Sequence, residues 1–165
     1  MWHARDVSHV LAPGTPIPDL ALISTTGETV RLRSYVGAKT IVIYFYPKDQ
    51  TPGCTKQACG FRDAYEQFTA AGAEVIGISA SPTETHVAFR ATHKLPFILL
   101  SDVDGKAREA FGIGKTLGVS DRVTYVVDRD GLVRFAFESL LRVQKHITDA
   151  LEMVQELERQ RTRSR

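Results

Sequence analysis

From Pro13 onward, short apolar runs alternate with turn signals. Three prolines within six residues (Pro13, Pro16, Pro18) give an extended entry. The partly alternating segments 19–25 and 28–35 flank Thr26-Gly27 and read as a β-hairpin turning near Gly27. Positions 40–47, "TIVIYFYP", are apolar or aromatic almost throughout, as expected of a central strand covered on both faces. From Cys54 the period becomes helical, with Ala58, Phe61, Tyr65 and Phe68 at spacings of three and four, and Gly72 is placed to stop the helix.

A second strand is expected over 73–80. Ser81, Pro82 and Glu84 then read as a capping box opening a helix to about Lys94. "PFILLSD" reads as a strand, "DGKAREAFG" as a short helix closed by Gly112, and "VTYVVD" and "LVRFAFE" as a hairpin around Arg129, Asp130 and Gly131. A last helix is expected from Leu140 to about Arg159, its apolar positions Leu141, Ile147, Leu151, Val154 and Leu157 facing the sheet. This order predicts an α/β fold: a mixed central β-sheet flanked by helices on both faces, with an N-terminal β-hairpin and a right-handed βαβ unit through the Cys54 helix. It is compatible with a thioredoxin-like sheet.

Length and composition narrow this to one domain over 1–165, with a core at about 12–158 and a basic tail at 159–165. Hydrophobic residues make up 43% and charged residues 24%, which suggests neither disorder nor a membrane class. The formal charge is +2, yet Arg159, Arg161, Arg163 and Arg165 all lie in the tail, so the rest is slightly acidic. The expectations are a frayed, solvated terminus, no nucleic-acid partner, no membrane partner and a cytoplasmic location. No apolar run approaches the roughly 20 residues that span a bilayer, and the first residues lack a signal-peptide pattern.

Two cysteines in 165 residues are not a disulfide framework. Both lie in "PKDQTPGCTKQAC". Cys54 falls where loop becomes helix, and the unpaired backbone N–H groups there favour a thiolate. Pro47 ends the strand, Pro52-Gly53 stiffens the turn, Gly53 lets backbone amides approach a ligand, and Thr51 supplies a hydroxyl that can both donate and accept. On an intact helix Cys54 and Cys59 would have Cα atoms roughly 8 to 9 Å apart. A disulfide tolerates at most about 7 Å, so joining them requires the first turns to unwind.

Pro47, Thr51 and Cys54 match the Pro-x-x-x-Thr-x-x-Cys signature of the peroxiredoxins. "TPGCTKQACGFRD" is similar to their bacterioferritin-comigratory-protein, or peroxiredoxin Q, subfamily. The Pro-rich start, "LLSDVDGKAREAFG" and "RVTYVVDRDG" extend the resemblance over roughly 12–155. It implies a thioredoxin-like fold and the following roles: Cys54 the peroxidatic thiolate, Cys59 the resolving cysteine, Thr51 a partner of peroxide and thiolate, Pro47 a shield of the pocket. Arg122 would be the arginine that, with Thr51 and Gly53, binds substrate. Gln57 stands where close relatives usually carry Glu.

The implied activity is a thioredoxin-dependent peroxidase, reducing hydrogen peroxide and organic hydroperoxides through a sulfenic acid and an intramolecular disulfide. Thioredoxin or a similar dithiol would recycle it, without metal or organic cofactor, and a monomer is expected. Rivals are a thiol-disulfide oxidoreductase, which would prefer Cys-x-x-Cys, and a peroxide sensor relaying oxidation to a partner protein. A zinc site lacks ligands. His3, His9, His86, His93 and His146 are scattered and expected on surface helices or at the terminus. Asp128, Asp130 and Gly131 are explained by a turn.

Overall fold

A computed structural model of the chain describes residues 8–164, so His3 and Arg165 lie outside the described residues. Strands β1 (Ala21–Ser24) and β2 (Thr29–Arg31) form the expected hairpin, with Gly27 at φ +83° in its turn. The chain then runs through a short 3-10 helix (Leu32–Tyr35) to β3 (Thr40–Phe45), α1 (Pro52–Ala70), β4 (Ala73–Ser79), α2 (Thr83–Thr92) and β5 (Ile98–Ser101). After α3 (Lys106–Ala110) come β6 (Lys115–Thr116), β7 (Val119–Ser120), β8 (Val123–Val127), β9 (Val133–Glu138) and α4 (Val143–Arg163).

Seven strands form one sheet in the order β2-β1-β5-β4-β3-β8-β9, with β5, β4 and β3 parallel and the outer pairings antiparallel. The β3 side chains divide by parity, as a strand covered on both faces requires. Val42 and Tyr44 pack with Phe61 and Phe68 of α1, Phe89 of α2, and Ile147 and Val154 of α4. Ile41, Ile43 and Phe45 pack on the other face with Ile17, Leu32, Ala107 and Phe111. Helices thus cover both faces, but unequally. The crossovers β3-α1-β4 and β4-α2-β5 step the same way across the sheet, and right-handed connections then leave both helices on one face. Gly77 in β4 is a packing requirement, since a Cβ there would come within 2.9 Å of the Tyr44 ring and 2.8 Å of Leu99.

Three local expectations are corrected, and one element is added. The capping box at Ser81 does not form: α2 has Pro82 as N-cap, and the buried Ser81 hydroxyl instead accepts the Asp49 N–H at 3.1 Å. Leu141 lies outside α4 and is 88% exposed. The tail does not fray at Arg159, because α4 continues to Arg163, with Arg159 and Arg163 paired to Glu156 and Arg161 to Glu158. The two-residue strands β6 and β7 were not anticipated. Their turn uses Leu117 and Gly118, both at positive φ (+51° and +78°), and a leucine carries no turn signal.

Candidate active site

Because β8 runs antiparallel to β3, with Phe45 opposite Val123, the residue before β8 lies at the end of β3 from which the chain enters α1. That residue is Arg122. Between them the chain turns through Lys48, Asp49 and Gln50, the last at φ +65°, and Thr51 is the N-cap of α1. Cys54 is in the first helical turn, 1% exposed. Backbone N–H groups without helical partners and the positive end of the helix dipole favour charge on its sulfur.

Arg122, 4% exposed, points its Nη1 at Cys54 Sγ (3.6 Å) and at Gln57 Oε1 (2.5 Å), and its Nε donates to the Leu140 carbonyl (3.2 Å). Gly53 serves this contact directly. A Cβ at Gly53 would lie 3.1 Å from Arg122 Nη2, so the missing side chain gives the guanidinium room against the helix. A buried, permanently charged donor beside an uncharged amide and a thiol is an arrangement that holds a thiolate and polarises an oxygen bound next to it.

Thr51 is half-buried, and its hydroxyl donates to the Lys48 carbonyl at 2.9 Å. Pro47 is half-buried and borders a cavity of about 400 Å³ with Lys48, Asp49, Ala80, Ser81 and Pro82. Cys59 stands apart, half-buried, with Sγ 3.9 Å from His93 Nδ1. Both thiols are free on one uninterrupted helix. The structure therefore brings Cys54, Gly53 and Arg122 together, sets Thr51 and Pro47 on the adjoining loop, and keeps Cys59 more than one helical turn away.

Several buried polar residues around this site escaped the sequence reading. Asp49, 4% exposed, accepts from Tyr46 OH (2.6 Å) and Thr85 Oγ1 (3.1 Å), with His86 Nδ1 2.6 Å from Oδ2. His86 Nε2 donates to the Leu100 carbonyl at 3.1 Å. The Tyr46 hydroxyl also lies 3.3 Å from His86 Nδ1, closing a buried polar triad of Tyr46, Asp49 and His86. This cluster fastens the loop before Thr51 to α2 and β5. His86 and His146 are fully buried, not surface residues. Their spacing was a usable signal: His86 is three residues from Phe89, and His146 adjoins Ile147 and precedes Ala150 by four. Tyr44, stacked on Phe61 at 4.5 Å between centroids, has a buried hydroxyl without a partner, and burial pushes its phenol well up. Among the described residues no group of three or more His, Cys, Asp or Glu is placed to hold a metal ion, and no helix is long and apolar enough to cross a membrane.

The AhpC/TSA family model matches residues 13–136. The chloroplastic peroxiredoxin Q of Suaeda salsa is 45% identical over 149 residues, covering 89% of this chain and 69% of its own. Peroxidoxin BcpB of Mycobacterium tuberculosis superposes with a TM-score of 0.83 at 32% identity, over 90% of this chain and 98% of its own. The bacterioferritin comigratory protein of Xanthomonas campestris, solved as trapped intermediate and ligand complexes bearing on its alkyl peroxide reduction, gives 0.78 at 31% identity, over 84% and 92%. These likenesses include the thioredoxin-like architecture of the sheet and its helices.

Proposed function

This chain belongs to the AhpC/TSA family and is a thiol-dependent peroxidase of the peroxiredoxin kind, and from that premise we propose that Cys54 is the peroxidatic thiolate, Cys59 the resolving thiol and Arg122 the residue that readies both sulfur and peroxide. The observation that carries the assignment is the buried Arg122 Nη1, 3.6 Å from Cys54 Sγ at the first turn of α1.

In this reading the Cys54 thiolate attacks the terminal oxygen of a hydroperoxide. The O–O bond breaks, its electron pair leaves on the distal oxygen, and that oxygen gains a proton to depart as water or an alcohol. Arg122, whose second terminal nitrogen faces Gly53, and the first backbone N–H groups of α1 stabilise the charge moving onto the leaving oxygen. Thr51 joins them when its hydroxyl turns from the Lys48 carbonyl to the peroxide, and Pro47 shields the pocket. The sulfur is left as a sulfenic acid. The Cys59 thiol then attacks it, a sulfur–sulfur bond forms and water leaves, and a dithiol returns both cysteines to thiols while becoming a disulfide itself.

Peroxiredoxins use peroxide substrates and thioredoxin-type reductants. For this chain the reading extends to hydrogen peroxide and organic hydroperoxides, to a thioredoxin-like donor, to a monomer and to the reducing cytoplasm. The curated relative named above is chloroplastic. Steady-state peroxide reduction with a thioredoxin system tests the assignment: Cys54→Ser abolishes turnover, whereas Cys59→Ser consumes about one equivalent of peroxide and stops as sulfenate or overoxidised product. Undiminished turnover in Cys54→Ser overturns it.

A further inference from the structure

The connection between β9 and α4, residues 139–142, is tied to Arg122 at two points. The Ser139 N–H donates to the Arg122 carbonyl at 3.1 Å, extending the β8–β9 pairing past Glu138. One residue on, the Leu140 carbonyl accepts Arg122 Nε at 3.2 Å. Those 139–140 peptide groups therefore fix both the backbone and the root of the guanidinium that faces Cys54. Leu141 is 88% exposed and contributes no packing to hold them in place.

The Arg142 N–H donates to the Ser139 hydroxyl at 3.1 Å, and a buried histidine holds the Ser139 carbonyl. His146, in the first turn of α4 and fully buried, lies with Nε2 2.7 Å from the Ser139 carbonyl and Nδ1 2.8 Å from the Thr124 hydroxyl. A carbonyl only accepts, so Nε2 carries the hydrogen and Nδ1 accepts from Thr124. The ring also meets Phe137 edge-on, centroids 4.7 Å apart, and Phe137 is the cross-strand partner of Thr124. Three elements thus fix one imidazole: β8 through Thr124, β9 through Phe137, and the helix that bears it. Burial holds the ring neutral, with its pKa pushed down to about 4, and the nearby charge of Arg122 adds to that. A neutral ring with one N–H satisfies both contacts at once.

We propose that His146 is a positioning residue for the peroxidase reaction: by holding the Ser139 carbonyl it fixes the Leu140 carbonyl against Arg122 Nε, and so aims the guanidinium at Cys54. This rests on the role given to Arg122 above. His146 touches neither substrate nor sulfur. Its effect passes through one peptide segment to the arginine, where a displacement of about 1 Å can cost on the order of 100-fold in rate.

The test uses the full-length reduced enzyme, mixed rapidly with hydrogen peroxide and, separately, with iodoacetamide. Alkylation needs the Cys54 thiolate but no polarised O–O bond. His146→Leu is expected to slow reaction with peroxide by about tenfold or more, while alkylation at a pH where the thiol is fully ionised changes little. His146→Gln, which retains a donor and an acceptor, is expected to restore most of the peroxide rate, and Thr124→Val to lower it less than His146→Leu. Thr124→Val, which is close to isosteric, carries the test if His146→Leu does not fold. Arg122→Gln is run beside them. An unchanged peroxide rate in Arg122→Gln overturns the role of Arg122 itself. A slow Arg122→Gln with full peroxide rates in folded His146→Leu, or in Thr124→Val where the former does not fold, overturns the proposal alone. Equal losses in alkylation and peroxide reduction also overturn it, since they mark general damage and not a misaimed arginine.

Discussion

Gln57 is completely buried, accepts from Arg122 Nη1 through its carbonyl oxygen and leaves its Nε2 without a partner. Its consequence is electrostatic. An amide orients the guanidinium without neutralising it, so the full positive charge acts on the sulfur 3.6 Å from the same nitrogen. A carboxylate at position 57 would pair with Arg122 and place a negative charge beside a thiolate one helical turn back. Gln57→Glu is therefore expected to slow oxidation of Cys54 at neutral pH by about tenfold, equivalent to roughly 1.4 kcal/mol. Stopped-flow rates with hydrogen peroxide measure it; an unchanged rate shows that Arg122 reaches the sulfur undiminished by its partner. Cys54, Thr51, Gly53 and Pro47 were legible because their chemistry lies within one contiguous stretch. Arg122 was legible only through resemblance, since nothing local marks an arginine before a strand as buried. Gln57 was visible as a departure, but its role depends on a partner 65 positions away.

The expected strands, and helices in the expected order, formed because their hydrophobic periods are strong, while the caps and loops were misread where tertiary contacts outcompeted local ones. Ser81 had the right spacing for a cap, but Asp49 claimed its hydroxyl. The loop into α4 shows what such contacts do to stability. His146 stays neutral in the fold down to about pH 4, held so by burial against its bond to Ser139, with Arg122 lowering and Asp149 raising its proton affinity. In the unfolded chain it takes a proton near pH 6.5. Between those values only the unfolded state binds that proton, so its contribution to stability is full above about pH 6.5 and lost progressively toward pH 4. The loss is on the order of 3 kcal/mol. Denaturant unfolding at neutral pH and near pH 4.5, compared between wild type and His146→Gln, isolates this from the carboxylates; the variant is expected to show the shallower fall.

Across the whole molecule, the proposed disulfide step asks one helix to open while the sheet stays closed. Disulfide formation between Cys54 and Cys59 is expected to remove amide-exchange protection from 54 to about 60 while β3, β4 and β8, buried on both faces, keep theirs. Hydrogen exchange of the reduced and oxidised chain decides it, and protection retained at the start of α1 in the disulfide form excludes the opening. The fold class was legible at this scale because a parallel centre with helical crossovers leaves few topologies; the placement of α1 and α2 on one face follows from the direction of the crossovers, which hydrophobicity does not encode, and α4 packs beside them as the last element. The Asp49 cluster then settles where the slack comes from. Five helical residues rise about 7.5 Å and, once extended, reach about 17 Å, so melting one short span pays out about 10 Å of chain. With the upstream end moored at Tyr46, His86 and Ser81, that length would be released on the downstream side in the proposed disulfide step. In that step Cys59 would swing on a line of fixed anchorage, and reduction would let the helix rewind from the same mooring.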